Sequence, residues 1–241
     1  MSRTRTSGET TGVTADSLSR LEAEIRECRA CPRLVAWREQ VAREKRASFR
    51  EWDYWARPVP GFGDPHARVF VLGLAPAAHG GNRTGRVLTG DRSGDWLFAS
   101  LYRTGYANQP TSVAIDDGLE LTDLYVAAAV RCAPPENRPT TDERDRCLPY
   151  LAREIALLER LQVIVVLGAF AYECAWRVLC ELGDTLPRPR PKFAHGLEVV
   201  TDRATIVGCF HPSQRNTFTG KLTEQMTDDV FVRARELSAD E

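Results

Sequence analysis

Four short, nearly uninterrupted apolar runs limit what this chain can fold into: Arg68 to Leu74, Leu124 to Val130, Gln162 to Leu167 and Ala204 to Phe210. Strands that read as continuous Val, Leu, Ile and Ala suit a parallel sheet covered on both faces. Between the runs the spacing turns helical, through Trp96, Leu97 and Leu101, then Leu148, Leu151, Ile155 and Leu158, then Phe170 to Leu182. Strand alternating with helix implies a three-layer α/β/α fold around a central parallel sheet of about four strands. A weaker strand is expected at Leu197 to Thr201. Residues 1–14 are polar and expected to be disordered, leaving residues 15–241 as a single domain.

An N-terminal helix is expected through Leu18, Leu21, Ile25 and Cys28, capped by Asp16 or Thr14 and stopped by Pro32. Four cysteines fall in two distant places, Cys28 with Cys31 and Cys132 with Cys147. Seven cysteines, an odd number, argue against a disulfide framework. Four thiolates brought together would hold either Zn²⁺ or an iron–sulfur cluster. Cys174, Cys180 and Cys209 lie in apolar patterns and read as packing residues.

The chain is 43% apolar and 27% charged with a net charge of −1, so no polyanion-coating surface is implied. All its basic residues except Lys45, Lys192 and Lys221 are arginine, whose guanidinium fork suits phosphate, so a local basic groove stays open. No run approaches the roughly 18 apolar residues that span a bilayer, and the first residues lack a signal-peptide core. The expectation is an intracellular, cytoplasmic monomer without membrane contact.

Ligands of a parallel sheet bind where strands end at their carboxyl side. After the first run comes Gly73-Leu74-Ala75-Pro76-Ala77-Ala78-His79-Gly80-Gly81-Asn82-Arg83-Thr84-Gly85-Arg86, followed by Leu88-Thr89-Gly90-Asp91. After the second comes Arg131-Cys132-Ala133-Pro134-Pro135-Glu136-Asn137-Arg138, and after the last His211-Pro212-Ser213-Gln214-Arg215-Asn216-Thr217-Phe218-Thr219-Gly220-Lys221. From about Cys28 to Leu222 this set resembles the uracil-DNA glycosylase superfamily, and within it the iron–sulfur group called family 5 or type B. The resemblance implies a [4Fe-4S] cluster on Cys28, Cys31, Cys132 and Cys147. It also implies a DNA repair glycosylase that hydrolyses the bond between deoxyribose and uracil in double-stranded DNA and leaves an abasic site.

The residues make chemical sense in that reaction. Base departure leaves negative charge on a carbonyl oxygen, and a strand-end histidine, His211, is suited to donate a hydrogen bond there. Asp91 either orients water and offsets the charge growing on the sugar, or caps the next helix. Asn137 positions water or a phosphate, or is a turn residue. The base and sugar pocket is expected from Gly73, Ala75, Pro76, His79 and Leu88, with Phe62 or His79 as alternative stacking faces. Expected DNA contacts are Asn82, Arg83, Arg138, Ser213, Gln214, Arg215, Asn216, Thr217 and Lys221, the loop after His211 wedging the minor groove.

Two positions depart from the related iron–sulfur family 4. Where that family carries an acidic residue after the first glycine and a uracil-reading asparagine near the second strand end, this chain has Leu74 and Ala128. A pocket with fewer base-edge hydrogen bonds rejects fewer substrates, so hypoxanthine and other deaminated bases are expected substrates too. No lysine stands at a motif position suited to a Schiff base, so no lyase step is expected.

Overall fold

The computed structural model describes residues 16–239. The expected disordered tail at residues 1–14 and the cap at Thr14 lie outside them. Six strands form one sheet in the order β1-β3-β2-β4-β6-β5, with β1 at Phe62–Gly63, β2 at Val69–Gly73, β3 at Leu124–Ala128, β4 at Val163–Leu167, β5 at Glu198–Val200 and β6 at Thr205–Cys209. The central four pair in parallel, as their apolar runs predict. The weaker strand expected at Leu197 to Thr201 is β5, antiparallel at one edge, and the unexpected antiparallel β1 closes the other. β1 has only two residues and is formed by its pairing with β3, so it leaves no periodic signal in the sequence.

The pleat divides the strands between two cores. Phe70, Leu72, Ile164, Val166 and Ile206 face α5 (Thr141–Leu157) and α6 (Ala169–Glu181). Val69, Val71, Val163, Val165 and Val207 face α4 (Arg92–Arg103) and α8 (Glu224–Leu237). Each of these side chains is at most 1% exposed, and full burial of one Val, Leu or Ile is worth about 1.5–3 kcal/mol. The three layers are therefore held by the sheet's own residues. Among the described residues no helix is long and apolar enough to cross a membrane.

The N-terminal region differs in detail from its sequence pattern. α1 (Leu18–Arg26) is capped by Ser17, whose hydroxyl accepts from the Arg20 N–H, while Asp16 pairs with Arg153 at 2.9 Å. The helix ends before Cys28, and Pro32 opens α2 (Pro32–Glu44) instead of closing α1. Proline suits a first helical position because its missing N–H is unused there. Cys31 becomes the residue that precedes α2. Cys147 lies well inside α5, whose start is fixed by a reciprocal cap between Thr140 and Glu143.

Directly after β3, Arg131 and Glu154 form a fully buried ion pair, each side chain 1% exposed. Arg131 Nη1 donates to Glu154 Oε1 at 2.9 Å, and the same oxygen accepts from the Gly61 N–H at 3.3 Å. The strand end is thus tied both to α5 and to the segment leading into β1.

Candidate active site

The loops after β2, β3 and β6 meet around a cavity of about 620 Å³ at the carboxyl edge of the sheet. Its apolar wall is Leu74, Ala75, Ala77 and Leu88, and its polar groups include Asp91, Asn137 and His211. The three candidate catalytic residues are therefore gathered at one cavity from three separate strand ends.

Asp91 has both of the roles that its sequence position left open within reach. It caps α4, its Oδ1 accepting from the Ser93 and Gly94 N–H groups at 2.9 and 3.0 Å, and it lines the cavity. Burial pushes its carboxyl above the usual range, against those two hydrogen bonds. Gly80 makes room for the second oxygen, since a β-carbon there would run into Asp91 Oδ2.

His211 follows β6 directly. Burial pushes its imidazole down to about 4, so at neutral pH it is uncharged. A neutral ring has one N–H to donate and one nitrogen to accept, and among the described residues neither nitrogen has a hydrogen-bond partner. Its backbone is fixed instead, the carbonyl accepting from Ser213 N–H at 2.8 Å and from Asn216 Nδ2 at 2.9 Å.

Asn137 is exposed, and it and Glu136 both take left-handed backbone angles, with φ of 55° and 54°. Leu88 does the same at φ 52° while 7% exposed. Such conformations are uncommon outside glycine and cost free energy that surrounding structure must offset. Two of these three residues face the cavity. For Leu88 the surrounding structure includes α4, where a β-carbon on Gly94 would overlap the Leu88 carbonyl.

Several expected site residues are placed elsewhere. Gly73 and Pro76 are buried, and with His79 they stand off the cavity wall. His79 Nδ1 instead meets the Tyr54 hydroxyl at 3.0 Å. Phe62 packs on Phe98, so neither alternative stacking face reaches the cavity.

Asn82 and Arg83, expected at DNA, are only 1% and 4% exposed. Asn82 Nδ2 donates to the Arg38 carbonyl, and Arg83 donates to the carbonyls of His79 and Gly90. Phe49 and Trp52 lie under the Arg83 guanidinium at 3.9 and 4.1 Å. These two side chains brace the loop from inside, with Arg83 Nη1 and Asn82 Oδ1 buried and unpartnered.

The loop after His211 is largely a short helix, α7 (Gln214–Phe218), with Gln214 and Arg215 exposed and on the cavity rim beside Ser213. Asn216 and Thr217 are half-buried and bond back to the loop's own carbonyls. Phe218 is 66% exposed, with Arg92 over its ring at 5.0 Å. Lys221 lies over Phe210 at 4.8 Å, and Arg138 is exposed beside Glu136. Arg92 and Ser93 also line the cavity and were missed from sequence; their position next to Asp91 was the available signal.

Cys31, Cys132 and Cys147 share a buried cluster with Leu34 and Val130, and a charge on Cys28 would act on both Cys31 and Cys132. All four are free thiols. Among the described residues no three His, Cys, Asp or Glu side chains form a group that could hold a metal ion. Burial pushes the Cys132 and Cys147 thiols up to about 11 and about 12.

Two arginines offset that burial, Arg38 at the Cys132 sulfur and Arg131 beside Cys147. Arg38 is 2% exposed with an unpartnered Nε, a buried cation whose natural counter-charge is thiolate. This donor set fits a thiolate-bound cluster. Of the remaining cysteines, Cys174 and Cys209 are buried as expected, whereas Cys180 near the end of α6 is exposed.

A family model described as the uracil DNA glycosylase superfamily matches residues 60–235. The chain is 50% identical over 228 residues to a type-5 uracil-DNA glycosylase of Mycobacterium tuberculosis, covering 93% of this chain and 83% of that relative. It is 46% identical over 212 residues to a type-5 uracil-DNA glycosylase of Thermus thermophilus, covering 88% and 94%. A type-4 uracil-DNA glycosylase of Sulfurisphaera tokodaii is more distant, at 24% over 224 residues covering 92% and 86%.

Proposed function

From the premise that this chain belongs to the uracil-DNA glycosylase superfamily, we propose that it removes uracil from DNA by hydrolysing the N-glycosidic bond. The observation that carries this reading is the uncharged His211 at the same cavity as Asp91, with Asn137 at the rim.

In a bound complex the damaged nucleotide leaves the stack and enters the cavity. His211, neutral and anchored through its backbone, donates its ring N–H to the carbonyl oxygen on which negative charge grows as the base departs. A preorganised donor of this kind is worth about 3 kcal/mol, because it costs no reorganisation at the moment of reaction. Asp91 has one oxygen occupied by α4 N–H groups. Its other oxygen faces the positive charge growing at C1′ or accepts a proton from the attacking water. Asn137, held by a strained turn, positions that water or the adjoining phosphate.

The substrate is double-stranded DNA with uracil, and hypoxanthine and other deaminated bases are taken as well. The apolar wall that meets the base is Leu74, Ala75, Ala77 and Leu88, and the two side-chain amides that also line the cavity, Asn137 and Gln214, are assigned to water or phosphate and to the gap in the duplex. Gln214 and Arg215 enter the gap in the duplex and hold a phosphate, with Arg138, Ser213 and Lys221 as further phosphate contacts. The reaction stops at the abasic site, since Lys45, Lys192 and Lys221 all lie off the cavity wall. The protein acts as a monomer on intracellular DNA.

Cys28, Cys31, Cys132 and Cys147 would hold a [4Fe-4S] cluster, which supplies no step of a hydrolysis and pins the N-terminal helices to the loop that carries Asn137.

Labelled duplexes containing uracil or hypoxanthine, incubated with enzyme and then split with and without alkali, test the reading. Cleavage only after alkali is expected for both bases. Retention of the duplex without any abasic product would support a lesion-binding protein instead.

A further inference from the structure

We infer that Arg38 is a positioning residue for the cysteine site, holding charge on Cys132 and tying that site through Asn82 to the loop that carries Asp91. The inference rests on the cluster reading above.

Arg38 stands seven residues after Cys31, close to two helical turns, so the two project from the same side of α2. Its Nη1 donates to Cys132 Sγ at 2.9 Å, and both terminal nitrogens reach the Cys28 carbonyl at 3.4 Å. One guanidinium thus touches both halves of the cysteine set, from the N-terminal pair and from the loop after β3. Among the described residues no carboxylate forms an ion pair with it, and neighbouring Glu39 is taken by Arg29 at 2.7 Å. A buried cation without a carboxylate needs another anion. Four thiolates supply it, and hydrogen bonds to ligating sulfurs are among the factors that set a cluster's potential.

The same residue points the other way through its backbone. Arg38 O accepts from Asn82 Nδ2 at 3.2 Å, and the same Nδ2 reaches Ala78 O at 3.4 Å. Arg83, the next residue, reaches the Gly90 carbonyl at 3.0 Å, immediately before Asp91. A continuous set of buried polar contacts therefore runs from Cys132 to the residue that adjoins the catalytic carboxylate. Each contact is made by a side chain at most 4% exposed. Water therefore does not replace one that is lost.

The experiment compares anaerobically purified wild type, Arg38→Met, Arg38→Lys and Asn82→Ala by iron and sulfide content, iron loss to a chelator, midpoint potential and hydrogen exchange across residues 78–91. Arg38→Met is expected to lose iron about tenfold faster or more, and to show a more negative potential once reconstituted. Arg38→Lys keeps the charge without the fork and falls between the two, which carries the test if the methionine variant does not fold. Asn82→Ala keeps iron and potential while exchange at residues 78–91 rises. Chelation rates and potentials equal to wild type in both Arg38 variants overturn the charge role, and unchanged exchange in Asn82→Ala overturns the tie. A wild type that holds no iron even after anaerobic reconstitution overturns the cluster reading itself, a result distinct from either.

Discussion

Gly80 and Asp91 occupy adjoining space, so that a β-carbon on Gly80 would fall on the Asp91 carboxylate. Gly80 has φ −101° and ψ −107°, and it is the absent side chain that matters here more than the backbone freedom. Gly80→Ala is expected to push the carboxylate off its place and slow base release at least about tenfold, with no more than about 1–2 kcal/mol lost from the fold. Single-turnover excision with excess enzyme reads the first effect and urea unfolding the second. A wild-type rate in this variant would show that the carboxylate's position does not govern the reaction.

Asp91 combines a helix cap with a place in the cavity, and two substitutions separate these. Asparagine caps as well as aspartate, so Asp91→Asn should keep stability within about 0.5 kcal/mol while the rate falls by about 10²–10⁴. Asp91→Ala should lose the same rate and a further ~1 kcal/mol of stability. Burial raises the carboxyl above the ordinary 3.8, and in the proposed reaction the ionised form is the active one. The acid limb of the wild-type rate profile should therefore lie above 3.8, and it should vanish from the residual activity of Asp91→Asn.

His211 should behave as a neutral donor. Its folded pKa of about 4 is below the ordinary 6.5, so burial favours the uncharged ring. The stability linked to this group is full above 6.5 and drains away as pH falls toward 4, because the unfolded chain binds the proton first. Ring resonances of His211 should be flat from pH 6 to 8, and His211→Ala should lose about 10²–10³ in rate with the neutral plateau unchanged in shape. A titration midpoint near 6.5 in the free enzyme would falsify the neutral-donor role.

The strand-end position of these three residues was legible because continuous apolar runs locate the ends of buried parallel strands, and ligands meet such sheets there. Which way a polar side chain faces was not. Asn82 and Arg83 sit in a Gly-rich, polar segment that reads as surface, yet both are buried, held by backbone carbonyls and, for Arg83, two aromatic rings. Pro32 could equally end one helix or begin the next, and only the position of Ser17 and the short span of α1 decide it. Arg38 offered a signal that spacing alone could have caught, an arginine two turns from Cys31 on a helix otherwise apolar on that side. Its meaning needed the fold, which brings Cys132 from 94 residues away to its guanidinium.

The buried Arg131–Glu154 pair links this site to the core, and removing one partner alone should cost more stability than any change in the cavity. Glu154 accepts from Arg131 and from the Gly61 N–H, so Glu154→Gln leaves a guanidinium buried at 1% exposure without its counter-charge. A loss of about 3–5 kcal/mol is expected in urea unfolding. The double replacement Arg131→Met with Glu154→Leu removes both charges, and packed apolar side chains recover stability that a half-broken pair cannot. It should therefore be more stable than Glu154→Gln alone. Recovery to near wild type would mean that the pair's charges serve position more than stability. Arg131 also precedes Cys132 and acts on the Cys147 sulfur. With the cluster proposed above, the double variant should therefore fold well yet bind iron more weakly than wild type, an outcome read by unfolding and iron content on the same preparation.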